Sequence, residues 1–201
     1  MLFENKYVYR LSIAITIVFV ATFIYICYVS FFLVNQKFIT IDGGTYINQV
    51  RSDTFTKKLS QKLTQNCTTG LCEVQNMLDY VSDIPYKVNH SIARSGKNVI
   101  KNNYGDCDDK SNLLISMLHA QGYESYFVFV PKHVFIVVRM DKKIKDKKAL
   151  YLNDKAFYIL ESTAQNSPIG FPLTFNIKDI HAVIDPFINK KMSISTIEYK
   201  F

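Results

Sequence analysis

The chain has 201 residues, enough for one domain of ordinary size plus an apolar anchor. Its 24 Lys and Arg against 17 Asp and Glu give a formal charge of +7, but much of the excess gathers in Arg139–Lys148. No aromatic residue interleaves that run as a stacking platform requires, so nucleic-acid binding is not supported and the run reads as a solvated hairpin tip. Four cysteines without an accompanying Cys/His cluster leave a zinc ion short of ligands, and no metal or other cofactor is expected.

Residues 1–10 form a short N-terminal segment. From Leu11 to Val34 no residue carries a charge, and Ile, Val, Phe, Leu and Tyr dominate. At about 1.5 Å per residue such a helix reaches ~36 Å, enough to cross a hydrocarbon core of about 30 Å with some tilt. A cleaved leader has a shorter apolar region and a small-residue cleavage site, and Phe31-Phe32-Leu33-Val34 runs instead into Asn35-Gln36-Lys37. The expectation is a single-pass anchor that binds the chain to a membrane. Lys6 and Arg10 favour an inside N-terminus, but Lys37, Arg51, Lys57, Lys58 and Lys62 follow the span, so charge leaves the orientation open. Cys67 and Cys72 flank a short turn that can bring two sulfurs together. A bridge between them, favoured here over two reduced thiols, would persist only in an oxidising compartment and so implies an extracytoplasmic domain.

Residues 35–51 read as a tether broken at Gly43-Gly44. Ser52 or Asp53 can cap a helix with Phe55, Leu59 and Leu63 on one face, and Leu71, Val74, Leu78 and Val81 mark a second helix stopped by Pro85. Ile84 and Tyr86 are expected to tuck against the core. Residues 87–104 read as irregular, with Gly96 and Asn102-Asn103 as loop signals. A helix then runs from Cys107 to about Gln121, with Asp106 as N-cap, Asp108 and Asp109 at the positive end of the dipole and Gly122 as its stop. Leu113, Leu114, Met117 and Leu118 form its buried stripe. Tyr126–Val130 and Val134–Val138 are unbroken apolar runs, read as strands covered on both faces with the long helix packed on them. Phe157–Leu160 reads as a third strand, alternation at Phe171, Leu173, Phe175 and Ile177 as an edge strand, and 186–201 as a tail. Helices first and an antiparallel sheet afterwards make an α+β domain over 52–185.

Three residues in this layout carry chemistry. Cys107 opens the long helix, His133 opens an apolar strand 26 residues later, and Glu161 ends another strand 28 residues after that. Side chains at the ends of regular elements can converge. The helix N-terminus favours a thiolate, whereas Asp106, Asp108 and Asp109 oppose it, so a partner such as the His133 imidazolium is needed. Glu161 on the other ring nitrogen would fix the tautomer. His119 sits near the helix C-terminus, and His90 and His181 lie in loop-like sequence, so His133 is the better base.

Tyr104-Gly105-Asp106-Cys107-Asp108-Asp109-Lys110 with its apolar helix resembles the nucleophile motif of the transglutaminase-like superfamily of papain-type thiol enzymes, in its bacterial and archaeal branch. His133-Val134-Phe135-Ile136-Val137 is similar to that family's His-bearing strand, and Leu160-Glu161-Ser162-Thr163 to its acidic motif, where Asp is more usual. Cys72-Glu73-Val74 to Tyr86 resembles the upstream helix and its Ile-Pro-Tyr turn. The resemblance implies a papain/transglutaminase-like fold and a Cys107–His133–Glu161 triad acting on amide or isopeptide bonds of a protein or peptide substrate, as a protease, amidase or acyltransferase. Tyr104, Asn103 and the Cys107 backbone N–H are the candidate oxyanion donors. The alternative is an inactive binding or scaffolding module on the same fold.

Overall fold

A computed structural model describes residues 6–41, 44–89 and 92–201. Gly43 of the expected break and His90 lie outside the described residues. The chain divides into two units, Met1–Phe38 and Ile39–Phe201. In the first, α1 (Lys6–Lys37) contains a 26-residue stretch, Lys6–Phe31, long and apolar enough to cross a membrane. Side chains such as Ile17, Phe19 and Tyr25 are exposed along it, unlike those of a core helix.

Among its described residues the second unit has four helices and a seven-stranded antiparallel sheet, with one of the helices packed on the sheet and the others around it. The helices are α2 (Thr54–Thr64), α3 (Gly70–Ser82), α4 (Gly96–Asn102) and α5 (Cys107–Ala120). The sheet strands are β3 (Ser125–Val130), β4 (His133–Val138), β5 (Ala149–Leu152), β6 (Lys155–Leu160), β7 (Ala182–Asp185), β8 (Lys190–Lys191) and β9 (Ile197–Lys200), in the order β8-β7-β3-β4-β6-β5-β9. The expected α+β architecture, with the cysteine-bearing helix on an antiparallel sheet, is the one present.

Helix α5 is the centre of the fold. Leu113, Leu114, Ile115, Met117 and Leu118 are all fully buried, so the helix is enclosed all round and not merely striped. Each such side chain contributes about 1.5–3 kcal/mol relative to exposure. Its neighbours are α2, α3 and α4 on one side and β3 and β4 on the other. Helix α2 meets it with small residues: Thr56, Ser60 and Thr64 are buried, while Phe55 of the expected stripe is exposed and Leu59 and Leu63 are half-buried. Small side chains let the two backbones approach, and Gln121 donates to Ser60 Oγ at 2.9 Å across the contact. Leu71 of the second expected stripe is also exposed, and Met77 fills the inward face of α3.

Both faces of the sheet are covered, as its apolar runs require. Val134, Ile136 and Val138 face the helices, whereas Phe135 and Val137 face a second apolar cluster with Phe157 and Ile159. That cluster is closed by Phe171, Leu173 and Phe175, which are not an edge strand. Their alternation reflects an irregular segment laid over the sheet face, with the next regular element a short 3-10 turn at Ile177–Asp179.

Three further expectations are corrected, and one strand is added. Residues 38–47, read as part of a tether, contain two strands, β1 (Phe38–Ile41) and β2 (Gly44–Ile47), paired with each other. Ile39, Tyr46 and Val50 join the main core there. Residues 186–201, read as a tail, contribute β8 and β9, the latter paired with β5 along its length. Gly96 starts α4 and is not a loop signal: it lies against Leu113 of α5, and an added Cβ would stand 3.1 Å from the Leu113 Cα. Ala149–Leu152, hidden behind the basic run, forms a strand because it pairs with β6 and β9 on its two sides. Cys67 and Cys72 are disulfide-bonded, bridging the junction of α2 and α3.

Candidate functional site

The start of α5 is fixed by a dense set of polar bonds. Asp106 accepts from the Asp109 N–H at 3.2 Å, and the Asp109 carboxylate takes the Asp106 N–H in return, a capping box. Asp109 is fully buried, and Arg94 answers it through its backbone N–H, Nε and Nη2 at 2.5, 3.0 and 2.5 Å. Lys110 is buried too, its Nζ donating to the carbonyls of Ser82 and Ile84 at 3.0 and 2.8 Å, so it closes the end of α3. Gly105 bridges to Tyr86, and a Cβ there would meet the Asp109 Cβ at 2.9 Å. The residues flanking Cys107 therefore hold the helix tip against Pro85 and Tyr86, which explains the Gly-Asp-Cys-Asp-Asp-Lys order without reference to reaction.

Cys107 is the first residue of α5 and half-buried. Its thiol donates to Asp108 Oδ1 at 3.5 Å and lies within reach of the Val134 backbone N–H. Burial pushes the thiol up to about 12, with Asp108 and then Asp106 adding to it; the Val134 amide pulls weakly the other way. The Asp108 carboxyl is also raised, by desolvation and then by Asp106.

His133 is the first residue of β4, held by the Pro131-Lys132 turn and paired with Val130. Glu161 follows β6 directly. The β4–β6 register pairs Ile136 with Leu160, which carries Glu161 opposite Phe135 and onto the same face as His133. His133 Nε2 and Glu161 Oε2 are 2.8 Å apart, both largely buried. The other carboxylate oxygen accepts from Thr163 N–H at 3.0 Å and Thr163 Oγ1 at 2.5 Å. Burial raises the Glu161 carboxyl, but the His133 and Thr163 hydrogen bonds outweigh it and hold the group below the usual carboxylate range. Phe175 stacks on the imidazole, ring centres 5.7 Å apart. With Nε2 engaged by Glu161, Nδ1 is the ring nitrogen left for a thiol. The buried hydroxyls of Ser111 on α5 and Ser162 beside Glu161 meet at 3.2 Å, joining the helix to the end of β6.

Cys107, Asp108 and His133 line one cleft of about 890 Å³, together with residues of β1–β2, Ile92, Phe129 and Lys132. His181 lines it as well. Its sequence reads as loop-like, yet it directly precedes β7 and its N–H bonds to the Phe129 carbonyl at 2.9 Å. The signal was present, since Ala182-Val183-Ile184 is a short apolar run after the histidine. Tyr86 does not tuck into the core: it is 55% exposed, while Ile84 is buried. Its hydroxyl is raised by desolvation first and then by Cys107, Asp106 and Asp108. Tyr104 is engaged elsewhere, its ring 4.3 Å from the Arg94 guanidinium and 4.9 Å from Lys87 Nζ. Asn103 terminates α4 in the left-handed conformation. Among the described residues no group of His, Cys, Asp and Glu has the arrangement of a metal site.

A cysteine opening a helix, packed on an antiparallel sheet that carries a hydrogen-bonded histidine and acid, defines the papain-type class of fold. A family model described as the transglutaminase-like superfamily matches residues 57–185, and the chain belongs to that superfamily. Among solved structures it is similar to a putative cysteine protease from Cytophaga hutchinsonii, with a TM-score of 0.49 and 14% identity over 77% of this chain and 52% of that one. A putative protease from Parabacteroides distasonis gives 0.46 and 16% over 70% and 27%, and LapG of Legionella pneumophila 0.37 and 14% over 68% and 86%. The chain thus spans about half the length of the first of these and about a quarter of the second. No curated protein matches it.

Proposed function

We propose that the protein is a membrane-anchored cysteine enzyme acting on amide bonds through Cys107, His133 and Glu161. The observation that carries this reading is the 2.8 Å His133–Glu161 hydrogen bond in the cleft wall that Cys107 also lines. His133 accepts the thiol proton on Nδ1 as the sulfur attacks the carbonyl carbon. The tetrahedral intermediate collapses by breaking the C–N bond, and His133 returns that proton to the departing amine. Water, or a second amine, then attacks the thioester with His133 again as base, giving a carboxylic acid or a new amide and restoring the thiol. Glu161 stabilises the imidazolium and fixes the ring, steadied by Thr163 and Phe175. The Cys107 N–H at the helix tip is the donor for the developing oxyanion.

The apolar α1 and the Cys67–Cys72 disulfide support an anchored domain facing an oxidising compartment. A thiol raised to about 12 means that the resting sulfur is neutral and that proton transfer accompanies attack. The same observation favours the second reading, a binding module without turnover on the same fold. Labelling membranes with a peptidyl aldehyde or acyl probe separates the two. Modification confined to the Cys107 peptide and lost in His133→Ala is expected; labelling at full rate in that variant removes the dyad.

A further inference from the structure

We propose that the β1–β2 hairpin is a substrate-recognition wall, and that β2 takes an extended, uncharged polypeptide segment of the acyl donor as an added strand. The proposal rests on the reading of Cys107 as the reacting thiol. The hairpin lies outside residues 57–185, the stretch that the family model matches. Ile41 and all four residues of β2, Gly44–Ile47, nonetheless line the cleft that holds Cys107 and His133.

In a two-stranded ribbon such as β1–β2, part of each strand's N–H and C=O groups points away from the partner. Among the described residues no strand other than β1 pairs with β2, and β2 lines the cleft that Cys107 lines. The cleft is also apolar where the hairpin meets its opposite side, with Ile41, Ile47 and Ile92 facing Phe129 and Val130. An edge of backbone donors and acceptors beside apolar pockets is the arrangement that binds extended chain by strand addition, backbone for affinity and alternate side chains for selection.

The wall is rigid. Tyr46 is buried against Phe127 and Phe129, ring centres 5.8 and 5.0 Å away. Asn48 is buried and ties the hairpin's exit to the loop after β7, its Nδ2 donating to the Pro186 carbonyl at 2.6 Å and Asn189 Oδ1 at 3.0 Å while Oδ1 accepts from Val50 N–H at 2.9 Å. A preordered edge binds without first paying the entropy of ordering itself.

The test follows protection of Cys107 in the detergent-solubilised full chain. Iodoacetamide alkylation of the Cys107 peptide is measured with and without acetyl-Thr-Val-Thr-Leu-Thr-amide, its backbone N-methylated counterpart, and acetyl-Gly-Ser-Gly-Ser-Gly-amide. Protection by the first peptide at a concentration about tenfold or more below the other two is expected, the scale of one buried aliphatic side chain. Gly44→Phe fills the cleft mouth without a clash, since a Cβ at Gly44 meets nothing within 4 Å, and should abolish that protection. Ile47→Asp is the second variant and should weaken it, folding of both being checked by thermal melting. Equal protection by the N-methylated peptide, or unchanged protection in both variants, overturns the proposal. So does protection that grows with protein concentration alone, which would assign the edge to a second copy. Because the peptides carry no reactive group, loss of turnover chemistry at Cys107 leaves this measurement intact and the two readings fail separately.

Discussion

The two sides of the cleft differ in how far they are prepared. On β4 and β6 the imidazole and carboxylate are already bonded, and Glu161 sits below its usual range because His133 and Thr163 favour its anion. Across the cleft the thiol is held neutral, its proton directed at Asp108 while burial and two carboxylates oppose ionisation. On the proposed reading of Cys107 as the nucleophile, the acid–base half is hydrogen-bonded in advance and the nucleophile half is restrained, so the proton transfer would await a substrate that displaces solvent and presents a carbonyl.

The most severe way to break this comparison is to remove the poised half. His133→Ala should lower acyl-probe labelling of Cys107 by about a thousandfold or more, a loss of the size expected when a base that acts as a unit with its nucleophile is deleted. Next is the scaffold of the restrained half. Arg94→Ala leaves the fully buried Asp109 without its ion pair and should destabilise the domain by about 3 kcal/mol, read by denaturant unfolding. Glu161→Gln should slow acyl labelling by about a hundredfold without a comparable loss of stability. The mildest change sharpens the comparison: Asp108→Asn removes a negative charge from the thiol and should raise its iodoacetamide rate at pH 8 by roughly tenfold, the effect of one pKa unit.

The two sides also predict opposite dependences on pH. The Glu161 carboxyl is lowered on folding, so its contribution is complete above about 4.3 and is lost as pH falls through the folded value. The Cys107 thiol is raised, so its contribution holds below about 8.5 and fades as pH climbs toward about 12. Unfolding free energy of Cys107→Ser should fall less between about pH 8.5 and about pH 10, where the raised tyrosines do not yet titrate in the unfolded chain, and should keep the acidic loss.

Local chemistry explains what could be read from the chain. The start of α5 was legible because Asp106 caps it through groups three residues away, and β3 and β4 because a strand buried on both faces must be apolar throughout. The elements that escaped are defined by distant partners. β9 is polar at every second residue and exists because β5 lies beside it; α4 starts at a glycine that only the proximity of Leu113 explains. Of the cleft, the order of Cys107, His133 and Glu161 was visible, and the apolar run after His181 was a signal for that histidine, but the hairpin wall was not visible. The hairpin reaches the cleft through long-range packing that no spacing records.

The Cys67–Cys72 bridge has a chemical consequence for the other sulfur. It removes both remaining thiols of the compact unit from circulation, leaving Cys107 alone there. A sulfenic acid formed on Cys107 would find no neighbouring thiol in its own unit to condense with, so repair would depend on a small reductant able to enter the cleft.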